Sequence, residues 1–255
     1  LGGRTIRLKK GFAPIVPLKY LEDLAGLSNF QMCIAHWCVE EDYLNFYRER
    51  FSAGDFTILD NGACELDVSI EVSELLDVYI ELGGADIVVV PDTKEGGTGN
   101  IELYNKFMEE GWRSKFLHAI EGVTPYFMVV PHSLEEFRYF NEFTIADYIG
   151  LNQGMEQHGR LRLIRDAVSK GTSKSFHLLG MMRNPLKEIM GANELGDYIL
   201  GMDSSLPYRI TKLGRKLNEY KPFPALINMY EEELEPSILK HCIGEFEGLI
   251  ERSLG

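Results

Sequence analysis

A chain of 255 residues with 45% hydrophobic and 25% charged side chains has the make-up of a globular domain, long enough to bury a core without disulfides or metals. Its formal charge of −13 opposes non-specific attraction to nucleic acid, which depends on neutralising phosphates, although a local basic patch can coexist with an acidic whole. The longest apolar runs, such as Ile87-Val88-Val89-Val90, are strand-sized and far below the ~18 residues of a membrane span, and four cysteines without Cys-x-x-Cys spacing (Cys33, Cys38, Cys64, Cys242) fit reduced thiols in a cytoplasmic protein.

In chain order, the basic segment Leu1 to Lys10 has no apolar core behind it, so no signal peptide is expected. Strands are predicted at Ala13 to Leu18, Gln31 to Ala35, Phe56 to Leu59, Asp86 to Val90, Tyr126 to Val130, Tyr148 to Leu151, Phe176 to Leu179 and Tyr198 to Gly201. All are β-branched or aromatic runs bounded by turn residues. Between them, Ser69 to Leu82 places Ile70, Val72, Leu75, Leu76, Val78, Tyr79 and Leu82 on a helical stripe, opened by Ser69 and closed by Gly83-Gly84. Ser133 to Phe140 and Leu161 to Ser169 have the same character. Strand and helix in alternation imply parallel strands with right-handed crossovers. Eight such strands in one chain predict an α/β fold, a single (β/α)8 barrel domain over residues 1–255, near the usual size of roughly 250 residues; an open doubly wound sheet is the alternative. The polar stretch after Lys212, helical in pattern, would close the last helix or form a dimer face.

Barrel enzymes place their chemistry where strands end and βα loops gather. After Phe56-Thr57-Ile58-Leu59 come Asp60, Asn61 and Gly62. After Val90-Pro91 comes Asp92, then a loop containing Lys94 and Gly96-Gly97-Thr98-Gly99. Val130-Pro131 leads to His132, Gly150-Leu151 to Asn152 and Gln153, and Gly201-Met202 to Asp203 with Arg209 further on. Three carboxylates at one mouth raise each other's pKa and can divide nucleophile, acid and base roles, which suits reactions at a sugar carbon. Each aspartate could equally cap its own turn or helix. The glycine loop lacks the phosphate-loop and dinucleotide patterns and reads as a lid or plain turn. Cys38 reads as a buried thiol and His36 as a satisfied histidine, with metal binding by the two as the weaker alternative; His177 reads as a packed strand residue, and Met181, Met182 and Met190 as core or pocket lining. Arg160, Arg162, Arg165, Lys170 and Lys174 read as the solvated face of a helix, with a nucleic-acid patch as the alternative.

The ordered strand ends resemble the tRNA-guanine transglycosylase (queuine tRNA-ribosyltransferase) superfamily. Leu59-Asp60-Asn61-Gly62-Ala63 resembles its Asp-Ser-Gly-Gly segment, and Val88-Val89-Val90-Pro91-Asp92 the strand ending in its base-recognising aspartate. Gly150-Leu151 resembles its base-pocket Gly-Leu, Phe176-His177-Leu178-Leu179-Gly180 its His-Tyr-Leu-Met-Gly strand, and Met202-Asp203-Ser204-Ser205-Leu206-Pro207-Tyr208-Arg209 its Phe-Asp-Cys-Val-Leu-Pro-Thr-Arg segment. The resemblance, colinear from Phe56 to Arg209, implies a (β/α)8 barrel that exchanges guanine in a nucleic acid for a 7-deazaguanine base such as 7-cyano-7-deazaguanine. It implies Asp203 as nucleophile and Asp60 as a proton-handling or base-holding residue. Asp92, Asn61, Gly62, Gly150, Leu151, Gln153, His132 and Arg209 would bind substrate.

The family's zinc motif, Cys-x-Cys-x-x-Cys with a later His, is missing, and His241-Cys242 does not replace it, so neither zinc nor another cofactor is expected. The position of the family's base-binding Gln carries Pro131-His132-Ser133, with Gln153 as a substitute. The basic insertions that grip tRNA are also largely missing. The chain is therefore more similar to the short DNA-modifying branch found in bacteriophages, which places it in a host-cell cytoplasm. DNA is the expected polymer ahead of tRNA, with a homodimer or partner subunit allowed and no membrane. A nucleosidase or N-glycoside hydrolase on the same barrel, in which water resolves the intermediate, and a non-catalytic partner subunit are the alternatives.

Overall fold

The computed structural model describes residues 11–21, 27–95, 97–180, 185–212, 241 and 243–244. Eight parallel strands carry the fold: β1 Gly11–Pro14, β2 Phe30–Ile34, β3 Phe56–Asp60, β4 Ile87–Val89, β5 Tyr126–Val129, β6 Tyr148–Leu151, β7 Ser175–Leu178 and β8 Ile199–Ser204. They pair in the order β1-β8-β7-β6-β5-β4-β3-β2: from β2 to β8 each pairs with its sequence neighbours, and β8 returns to β1. This is a nearly closed (β/α)8 barrel, as the alternation predicts. Among the described residues no ladder joins β1 to β2. There Ser28 stitches the edge, its hydroxyl donating to the Phe12 carbonyl (2.8 Å) and accepting from the Phe30 amide (3.0 Å). The strands approach closely because Gly11 has no side chain; a Cβ on it would lie 2.5 Å from that of Phe30.

Around the barrel lie α1 Glu41–Ser52, α2 Ala63–Leu66, α3 Val72–Glu81, α4 Gly99–Glu109, α5 Trp112–Ala119, α6 Leu134–Phe143, α7 Arg160–Ser169, α8 Pro185–Asn193 and α9 Leu206–Lys212. The helices α1, α2, α4, α5, α8 and α9 fall outside the three stretches predicted from hydrophobic spacing. Ser69 does not open α3, which starts at Val72 behind Glu71. The Ser69 and Ile70 amides instead donate to the carbonyls of Asp92 and Asn61 (3.0 and 3.1 Å), tying the approach to α3 across two strand-end loops.

Side chains alternate along each strand between two apolar layers. Phe30, Met32, Phe56, Ile58, Ile87, Val89, Met128 and Tyr148 fill the barrel. Leu59, Val88, Phe127, Ile149, Phe176 and Leu178 face the helices, against residues such as Tyr79, Phe116 and Phe140. The β7–β8 register shifts once: Phe176 pairs with Ile199 but His177 with Gly201. Leu200 is therefore an extra residue. Both Leu200 and the next-but-two residue, Asp203, face inward, which strict alternation would forbid. The irregularity aims Asp203 into the barrel.

The basic stretch is neither a solvated face nor a nucleic-acid patch throughout. Arg160 is buried, and Lys174 is buried with its amine donating to the carbonyls of Thr144 (2.8 Å) and Ala146 (2.5 Å). Arg162, Arg165 and Lys170 are exposed as expected, Arg165 in a pair with Glu194. Met190 is 70% exposed and lines no core, while Met181 and Met182 lie outside the described residues. Cys33, Cys38 and Cys64 are free thiols; Cys242 lies outside the described residues. No helix among the described residues is long and apolar enough to cross a membrane.

Candidate active site

The C-terminal ends of the strands open on a cavity of about 750 Å3. Asp60, Asn61, Asp92, His132, Gln153, Asp203 and Arg209 all line it, drawn together from β3, β4, β5, β6 and β8. Three expected base-binding positions do not. Gly62 lies behind the wall: its left-handed φ of 79° turns the chain into α2, and a Cβ there would meet His36 Nδ1 at 2.5 Å. Gly150 lies beneath the floor, facing Leu179, Met128 and Val130. Leu151 packs outward among the helices because it follows Gly150 in an alternating strand.

Asp203 sits at the end of β8, 7% exposed. The Gly180 amide donates to both of its oxygens at 3.3 Å, and His177 Nε2 lies 3.1 Å from Oδ1. Gly180 is held in turn by Arg160. That guanidinium donates to the carbonyls of Leu151 (2.8 Å), Leu179 (2.7 Å) and Gly180 (3.2 Å) and pairs with Glu188, so one buried cation fixes the ends of β6 and β7. The Gln153 side chain lies over Gly180, its amide nitrogen 2.7 Å from where a Cβ would stand.

Asp92 is held differently. Asn61 donates Nδ2–H to its Oδ1 (2.6 Å) and to the Val90 carbonyl (2.8 Å), while His132 Nε2 lies 2.8 Å from its Oδ2. Asn152 determines how His132 makes that bond. Its Oδ1 accepts from the Met155 amide (3.2 Å), which turns its Nδ2–H toward His132 Nδ1 (3.1 Å). Nδ1 therefore accepts and Nε2–H donates to Asp92. With both ring nitrogens engaged, His132 orients Asp92 and is not a free substrate ligand.

Glu136 carries this array and was not singled out in the sequence. Fully buried, it accepts from the His132 amide (2.6 Å) and from the amide and side chain of Asn100 (3.1 and 3.3 Å), binding the loops after β4 and β5 together. The available signal was Ser133-Leu134-Glu135-Glu136, a capping box whose serine does accept from the Glu136 amide (3.1 Å).

The third aspartate differs again. Asp60 receives the Gly62 amide (2.8 Å). Burial pushes its pKa well above the usual carboxylate range, and Glu65, Asp92 and Asp203 add to this against the opposing Gly62 N–H. Glu65, also missed, lines the same cavity with a buried Oε2 that has no hydrogen-bond partner. Burial, with the charge of Asp203 adding to it, pushes Glu65 up to about 7, against its own backbone N–H and Lys94. His36 is not the satisfied histidine expected. Its Nδ1 is buried against Gly62 without a partner, and burial lowers its pKa. Cys38 is buried as expected, its sulfur 3.4 Å from that of Cys33.

The sequence matches no protein-family model and no curated protein.

Among the described residues no three His, Cys, Asp or Glu side chains group to hold a metal ion; His241 is exposed, and Cys242 lies outside them. The site therefore offers one carboxylate held by amide and imidazole, one held by amide and histidine side chains, and one carboxyl driven toward its protonated form. Such a division supports nucleophilic substitution with managed proton transfer.

Proposed function

We propose that the protein is a guanine transglycosylase acting on a nucleic acid, DNA ahead of tRNA, and inserting a 7-deazaguanine base such as 7-cyano-7-deazaguanine. The observation that carries this reading is the convergence of Asp60, Asp92 and Asp203 on one cavity, each in a different hydrogen-bonding environment. Asp203 attacks C1′ of the target nucleotide. The C1′–N9 bond breaks, and its electron pair leaves with guanine, which takes a proton from Asp60. The result is a glycosyl ester on Asp203. The incoming deazaguanine then gives its N9 proton to Asp60 and displaces Asp203 at C1′, restoring both residues. Asp92, already braced on both oxygens, keeps lone pairs free to accept from the N1–H and exocyclic amine of the purine. Gln153, which lines the same cavity, takes the place of the family's base-binding glutamine, and Arg209 is a further substrate-binding residue. In a duplex the target nucleotide must first be extruded. The missing zinc motif and basic insertions favour DNA, and a bacteriophage enzyme in a host-cell cytoplasm accords with that branch.

A nucleosidase is the second reading, favoured by the acidic lining. Asp60, Glu65, Asp92 and Asp203 face only Lys94 and Arg209 among the described residues, which suits a small uncharged nucleoside better than a polymer. One experiment separates them. Labelled guanine or 7-cyano-7-deazaguanine is incubated with duplex DNA, single-stranded DNA or unmodified tRNA, with Asp203→Asn beside the wild type. Label entering DNA and lost in the variant supports base exchange. No label in any polymer, with base released from free nucleosides, sinks the transglycosylase reading in favour of hydrolysis.

A further inference from the structure

We infer that His177 is a positioning residue for the nucleophile, holding Asp203 Oδ1 so that Oδ2 is the oxygen that attacks; this rests on the transglycosylase reading of the site. His177 lies in the middle of β7 and is fully buried inside the barrel. Its ring stacks on Phe30, with centroids 5.9 Å apart and planes 8° from parallel, so it cannot turn without displacing a core aromatic. Nε2 meets Asp203 Oδ1 at 3.1 Å, whereas Nδ1 is buried with no partner. A carboxylate can only accept, so the hydrogen belongs on Nε2. A hydrogen on Nδ1 would have no acceptor, so that nitrogen stays bare.

The consequence is an asymmetric carboxylate. Oδ1 takes two donors, His177 Nε2–H and the Gly180 amide; Oδ2 takes the Gly180 amide alone. Oδ2 is therefore the freer nucleophile, and in the glycosyl ester Oδ1 becomes the carbonyl oxygen, still held by Nε2–H. When the incoming base displaces Asp203, the charge returning to the carboxylate is met by the same donor. His177 does not line the cavity, so it acts on both chemical steps and not on base binding.

Two variants and one spectrum test this. His177→Gln retains an N–H that can reach Oδ1, and His177→Leu keeps the bulk without a donor. Base-exchange kinetics are compared with the wild type, melting curves serving to show that each variant is folded. Loss of a single preorganised donor costs about 10²–10³ in kcat. A fall of that size in the Leu variant, with KM for the incoming base unchanged and most of the rate recovered in the Gln variant, is expected. Wild-type kcat in the Leu variant, or equal losses in both, would overturn the inference. Nitrogen-15 NMR of the imidazole gives an answer that does not depend on turnover. A protonated Nε2 beside a bare Nδ1 is expected, and the opposite tautomer overturns the proposal. If the wild type exchanges no base yet shows the expected tautomer, the transglycosylase reading falls while the His177–Asp203 pairing stands.

Discussion

Folding favours the protonated forms of Asp60 and Glu65, and their pH dependence has a definite sign. Glu65 ordinarily titrates near 4.5 and in the folded protein near 7. The native state thus binds its proton more tightly than the unfolded chain, and stability falls as pH rises from about 4.5 to about 7. Glu65→Gln removes that contribution. Its melting temperature relative to wild type is expected to be higher at pH 8 than at pH 5, and a pH-independent difference would refute the assignment. Asp60 is also raised, chiefly by burial, so as the acid of the proposed reaction it loses its proton, and exchange its rate, toward alkaline pH. Asp60→Asn is expected to abolish that alkaline limb along with most of the turnover, read from the pH profile of kcat. The three aspartates were legible in the sequence because each follows an apolar strand run. Glu65, Glu136 and His177 were not. Glu65 and Glu136 lie in helical turns whose surroundings depend on loops from elsewhere. The partner of His177 is 26 residues away, brought near only when β7 pairs with β8.

At the scale of elements, Arg160 does what no local pattern announces. It opens α7 yet spends its guanidinium on carbonyls at the ends of β6 and β7 and on Glu188 in α8. Arg160→Ala would break the buried pair with Glu188 and take a donor from the carbonyls of Leu151, Leu179 and Gly180. Breaking a buried pair in this way costs about 3–5 kcal/mol, whereas Arg165→Ala, which opens an exposed pair, should cost about 0–1 kcal/mol. Urea unfolding of the two variants measures the contrast, and near-equal losses would contradict it. The strands themselves were legible to within a few residues because their β-branched and aromatic runs are short and separated by turns. The Leu200 irregularity was not. An extra residue in a strand leaves no trace in composition and is defined only by the partner strand's register. The basic run after Gly159 misled for the opposite reason, since charge alone does not reveal whether a long side chain reaches outward or back over strand ends.

The whole molecule is strongly acidic, and its cavity presents Lys94 and Arg209 as the cations among the described residues that line it. Polymer binding releases counterions in proportion to the phosphates neutralised, with a slope of about −0.9 per contact on duplex DNA. Two cations bound the dependence of log K on log salt at about −2, measurable by fluorescence anisotropy of a labelled duplex between 50 and 200 mM salt. A much steeper slope would show that basic residues beyond the cavity, or a second subunit, grip the polymer. The barrel architecture was the most legible feature of the sequence, because eight alternating units leave few ways to bury both faces of a parallel sheet.

The open join between β1 and β2 has a consequence for how the barrel breathes. Two amides of β2 are satisfied by side chains and not by a neighbouring strand: Phe30 donates to the Ser28 hydroxyl and Ile34 to the Tyr43 phenol, both at 3.0 Å. Releasing such an amide takes the swing of one side chain, not the parting of a ladder. In hydrogen–deuterium exchange these two positions should label well before the amides of β6 and β7, and Ser28→Ala should speed Phe30 while leaving Ile34 unchanged. The barrel would then loosen along a single meridian, with the remaining strands moving as an unbroken staved wall.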